Sequence, residues 1–128
     1  MYGFTVNVNK SFDDAVTQVT DELQKEGFGV LTEIDVKAVM KKKLDLDKRP
    51  YKILGACNPV LANQAMDAEP DIGLLLPCNV IVRENEDSTV TVGFMDPSAV
   101  LGLVQREELK ALGDEVLSRL HRVKDAIS

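Results

Sequence analysis

The sequence predicts an α+β protein in two layers, a sandwich of one mixed or antiparallel sheet with helices covering a single face. Three observations carry that expectation. Stretches of period-two alternation recur between stretches of helical spacing, two strands follow one another across a short polar turn, and the chain ends in a long amphipathic helix.

Tyr2, Phe4, Val6 and Val8 alternate with Gly3, Thr5, Asn7 and Asn9, the pattern of a strand with one buried face. Ser11, with Asp13 and Asp14 behind it, supplies an N-cap and negative charge for a helix whose apolar positions are Phe12, Ala15, Val16, Val19 and Leu23. Gly27 ends that helix. From Phe28 to Val36 the alternation returns, placing Val30, Ile34 and Val36 with Phe28, and Leu31, Glu33 and Asp35 opposite. Lys37 to Leu44 reads as a short helix, Asp45 to Pro50 as a polar loop, and Tyr51 to Cys57 as a third strand. Asn58 then caps a helix that Pro59 begins and that runs to about Ala68, with Leu61, Ala62, Ala65 and Met66 inward.

Gly73 to Glu84 reads as a long strand, with Leu74, Leu76, Cys78, Val80 and Val82 on one face and Leu75, Pro77, Asn79 and Ile81 on the other. Pro77 cannot donate to a ladder, so the strand is at an edge, bulged, or joined from two pieces there. Asn85 to Ser88 turns it into an antiparallel partner, Thr89 to Phe94. Asp96 and Pro97 repeat the cap-then-proline start for a brief helix ending near Gly102. Glu107 to Ile127 forms the longest helix, striped by Leu109, Leu112, Val116, Leu120 and Val123.

A chain of 128 residues fits one domain, 1–128. Its 21 acids against 15 bases give a net charge of -6, which opposes nucleic-acid binding, because that affinity comes mostly from phosphate neutralisation. Apolar stretches such as Ile72 to Leu76 are far too short to cross a bilayer, so no membrane role is expected. Met1 to Lys10 lacks the continuous apolar core of a secretory signal. The expected compartment is the cytoplasm, where the two cysteines stay reduced.

Both cysteines precede an asparagine beside a proline, as Cys57-Asn58-Pro59 and Pro77-Cys78-Asn79. A dithiol would need the two Cα atoms within roughly 7 Å. A catalytic thiol would need a base, and the single histidine, His121, lies on the last helix. A zinc-like site needs about four ligands, and Cys57, Cys78 and His121 lack the close spacing of such sites. The plain alternative buries both thiols as small hydrophobes and bonds the asparagines to backbone at caps and bends.

Glu33 and Asp35, read as neighbours on one strand face, would stand roughly 7 Å apart, a distance at which they could share a cation or act as an acid and base pair; the alternative is that they face solvent or a dimer partner. Lys43 and Lys52 could neutralise them, and His121 is the remaining candidate metal ligand. The run Lys41-Lys42-Lys43 is either a small anion site or a solvated helix face. Tyr51 and Asp96 read as structural, a half-buried ring and a helix cap.

Thr32-Glu33-Ile34-Asp35-Val36, Lys43-Leu44, the run from Pro50 to Pro59, Leu74 to Val80, and Met95-Asp96-Pro97 together resemble the bacterial and archaeal family called domain of unknown function 302. The resemblance spans nearly the whole chain. It implies a two-layer α+β fold like that of the TATA-binding protein and Bet v 1 groups, assembled as a homodimer, and it implies no agreed activity. Asp45 follows Leu44 where family members often carry glycine.

Taken together, these readings favour a homodimeric module that binds a small molecule or metal ion. Its open sheet face would be lined by Glu33, Asp35 and Asn79, with Lys43, Lys52 and Asn58 as further candidates. The alternatives are a small thiol-dependent enzyme or redox protein using Cys57 and Cys78, and a purely structural dimer. No reaction and no cofactor is assigned.

Overall fold

A computed structural model describes residues 1–128. The elements run β1 (Gly3–Val8), α1 (Phe12–Lys25), β2 (Gly29–Asp35), α2 (Val36–Leu44), β3 (Tyr51–Cys57), α3 (Pro59–Ala68), β4 (Cys78–Glu84), β5 (Val90–Met95), α4 (Pro97–Leu101) and α5 (Glu107–Ile127). Two 3-10 turns, Pro70–Leu75 and Gly102–Val104, lead into β4 and α5. The five strands form one sheet in the order β1-β5-β4-β3-β2. Every neighbouring pair is antiparallel.

The core follows from the alternation. Leu54 and Ala56 of β3, Cys78, Val80 and Val82 of β4, and Val90, Val92 and Phe94 of β5 point the same way. They meet Ala15, Val19 and Leu23 of α1 and Val116, Leu120, Val123 and Ile127 of α5 in one buried cluster. A smaller cluster joins Ala65 of α3, Ile72, Leu101 of α4 and Leu109 of α5. The opposite face of the sheet carries no such cluster.

The caps form where the sequence places them. The amides of Asp14 and Leu61 donate to the side chains of Ser11 and Asn58, each at 3.2 Å. Those of Ser98 and Ala99 donate to Asp96 at 2.9 and 3.2 Å. Asp45 closes α2 in the left-handed region at φ 54, the conformation for which glycine is favoured. Gly27 turns the chain out of α1 at φ 86.

Four expectations change. The strand expected from Gly73 begins only at Cys78, because the stretch before Pro77 winds into a 3-10 turn and the Leu76–Pro77 peptide bond is cis. A bulge between Val30 and Thr32 breaks the simple alternation of β2. Asp35 caps α2 by accepting from the Ala38 amide at 3.0 Å, so that helix starts at Val36. Tyr2 and Met66, read as inward, are exposed: Tyr2 precedes β1, and Met66 lies just off the stripe of Leu61, Ala65 and Ala68 by which α3 packs.

Candidate functional site

Both Cys-Asn pairs meet where β3 ends and β4 begins. Ala56 stands opposite Cys78, so the two cysteines sit on adjacent strands one residue out of register. Both are free thiols. They line a cavity of about 30 Å³ whose wall is almost wholly apolar, including Phe28, Leu61, Leu76, Leu112 and Val116. Burial pushes the Cys57 thiol above its ordinary pKa. Burial, with the nearby Cys57 adding to it, pushes Cys78 up to about 11. Burial therefore disfavours the thiolate at both positions, most at Cys78, and the cavity wall holds no ionisable side chain besides the two thiols.

A labelling experiment checks this. Both cysteines of the folded protein should react with iodoacetamide at pH 7 far more slowly than glutathione, Cys78 by about a hundredfold or more. Labelling should accelerate as pH rises and become complete in urea. Rapid stoichiometric labelling of either thiol in the folded state at neutral pH would restore the thiol-dependent alternative.

Asn58 is buried, and its side-chain oxygen accepts from the Leu61 amide as the α3 cap. Its amide nitrogen also packs against the turn at Gly27, where an added Cβ would lie 2.7 Å away. Arg119 and Arg122 of α5 reach the same corner. The former donates to the Glu26 carbonyl at 3.0 Å, and the latter grips the Glu26 carboxylate at 2.8 Å. The Arg122 guanidinium holds the Glu26 carboxyl below its usual range.

The carboxylates lie elsewhere. The β2 bulge puts Glu33 opposite Leu54 and Asp35 opposite Lys52, on the helix-covered side of the sheet rather than beside Asn79. Glu33 pairs with Lys52 at 2.7 Å, and that bond raises the Lys52 pKa. Asp35 is taken up as the α2 cap. Lys43 lies exposed on α2 and enters no ion pair, while its neighbour Lys41 bonds Asp45 at 2.9 Å. His121 stacks on Phe4 at 4.3 Å, at the β1 edge. Because β1 and β2 are opposite edges of the sheet, His121 cannot join Glu33 and Asp35 around one ion. The structure gathers the thiols and Asn58, pairs Glu33 with Lys52, and separates both groups from Asn79.

Asn79 instead belongs to the uncovered face. There β4 presents Asn79, Ile81 and Arg83, opposite Gly55, Ile53 and Tyr51 of β3. On its other side stand Gly93 and Thr91 of β5, and beyond them Thr5 and Asn7 of β1. A depression of about 550 Å³ opens over this surface, lined by Tyr2, Tyr51, Asn79, Ile81, Arg83 and Met95 among others. Gly93 shapes its floor. A Cβ there would meet Ile81 at 2.9 Å, so the missing side chain lets Ile81 lie flat. Arg83 escaped the sequence reading, although it continues the outward phase of Asn79 and Ile81 by two residues.

These features define a two-layer α+β protein with a helix-packed core on one side of an antiparallel sheet and an open, shallowly hollowed face on the other. The chain belongs to the family described as Domain of unknown function DUF302, whose profile matches residues 4–127. It is similar to an uncharacterized protein of Aquifex aeolicus (strain VF5), at 28% identity over 82% of this chain and 81% of that one. It is also similar to the crystal structure of the uncharacterized conserved protein DUF302 from Bacillus stearothermophilus. That likeness has a TM-score of 0.92 and 28% identity, and covers 100% of this chain and 99% of the other. No helix is long and apolar enough to cross a membrane.

Proposed function

We propose that the protein is a cytoplasmic, homodimeric module that binds a small molecule on its open sheet face, with a second copy of the chain completing the site. The observation carrying this reading is the depression of about 550 Å³. Its size is that of small-ligand sites, roughly 300–1,000 Å³, and like them it mixes apolar walls with a few polar groups. The second copy is supported by the lack of any helix over this face, and by the apolar side chains of Ile34, Ile53, Ile81 and Met95 that it leaves partly or wholly open. Contiguous apolar surface of this kind marks interaction sites. Metal binding is not part of the reading, since Glu33, Asp35 and His121 do not converge.

Light scattering at micromolar concentration should return the mass of two chains. Ile53→Arg, which puts a charge in the middle of the open face, should return one chain with an unchanged circular-dichroism spectrum. A panel of small metabolites screened by thermal shift should raise the melting temperature of the wild type through ligand linkage. A single-chain mass for the wild type sinks the dimer, and a panel without any stabilising compound sinks the binding module.

A further inference from the structure

Resting on that reading and deepening it, we infer that the ligand of the open-face depression is a small organic carboxylate, held by Arg83. The chain has five arginines. Arg49, Arg106, Arg119 and Arg122 each pair with a carboxylate, at 3.1, 3.2, 2.9 and 2.8 Å. Arg83 alone has no acidic partner, although it is half-buried in a chain of net charge -6.

Its protein partner is neutral and fixed. Arg83 donates to the Asn85 side-chain carbonyl. Asn85 is locked in that orientation because its amide group donates to Thr89 and Thr91, each at 2.9 Å. Thr91 in turn donates to Asn7 at 2.7 Å. These groups orient the guanidinium without neutralising it; the nearest carboxylate on this chain of hydrogen bonds, Asp87, accepts from Thr89 at 2.6 Å and makes no ion pair with Arg83. The remaining N–H donors of its planar fork match a carboxylate, which accepts two parallel bonds.

The surroundings make the counterion a guest. Among the side chains that the five strands turn onto this face, Arg83 is the only charged one and none is an acid. The nearest acid in sequence, Glu84, points to the other side of the sheet and is engaged by Arg49. A second copy laid on this surface through the same strands supplies no strand carboxylate either. Tyr51, directly across from Arg83, and Ile81 beside it offer apolar surface for the body of the guest.

The test is a nitrogen-15 NMR titration of the wild-type protein with sodium benzoate and with its neutral counterpart benzamide. Benzoate should shift the amides of Asn79, Ile81, Arg83 and Gly93 and bind about tenfold or more tightly than benzamide, as a charged hydrogen-bonded pair allows. Arg83→Gln should lower benzoate to the benzamide level and leave benzamide unchanged, with the spectrum elsewhere showing an intact fold. Arg83→Lys should retain part of the preference.

Equal binding of the two probes, unaffected by Arg83→Gln, overturns the carboxylate assignment and leaves the small-molecule reading standing. Binding of neither probe overturns both. Inorganic phosphate that perturbs the same amides at lower concentration than benzoate overturns the organic carboxylate in favour of a phosphate.

Discussion

Phe28→Ala will lower the unfolding free energy by roughly 3–5 kcal/mol, the range for truncating a large buried aromatic. Phe28 is 1% exposed and is among the largest fully buried side chains. It also borders the 30 Å³ cavity beside the thiols, so the space it vacates merges with a void that is already present. Surrounding atoms then have more to fill, which places the loss toward the upper end of that range. Urea denaturation should show the midpoint falling with an unchanged slope. Val60→Ala, at a position 67% exposed, should stay within about 0.5 kcal/mol. A loss below about 1 kcal/mol for Phe28→Ala would show that this corner of the core collapses freely.

Gly27→Ala will cost about 2–4 kcal/mol, combining left-handed backbone strain with damage to a neighbouring cap. Gly27 sits at φ 86, and its Cβ would lie 2.7 Å from the Asn58 amide nitrogen, pushing at the residue that caps α3. Gly29, two residues on, has nothing within 4 Å of its would-be Cβ. Gly29→Ala should therefore be neutral or raise stability by up to about 1 kcal/mol. Parallel thermal melts of the two variants check the contrast, and equal losses would remove the Asn58 clash as the cause. Both large effects fall on one short stretch because α1, α3 and α5 meet there.

Much of the architecture was legible because it rests on local rules. The existence of β3 and β5, the outward and inward phases of β4, the caps at Ser11, Asn58 and Asp96, and the stripe of α5 follow from spacing and side-chain chemistry alone. The candidate site was legible only in part. One inserted residue at Leu31 reverses the facing of everything after it in β2, and no local pattern announces a bulge, so Glu33 and Asp35 were assigned to the wrong side. The role of Asp35 as a cap was hidden by placing the helix start one residue late. Arg83 could have been reached by extending the alternation of β4, but its lack of a carboxylate partner is a tertiary fact. The thiols looked like paired chemistry in sequence, and only the apolar wall around them shows why they stay protonated.

The bulge in β2 also bears on how copies of the chain can accumulate. β2 and β1 are the free edges of the sheet, and an uninterrupted β2 could accept the β1 of another molecule, whose own β2 would accept the next. Such head-to-tail addition has no natural end and grows into a fibre. By breaking the ladder between Val30 and Thr32, the extra residue spoils the docking rail for that addition. The single inserted leucine therefore works against open-ended growth from this edge of the sheet.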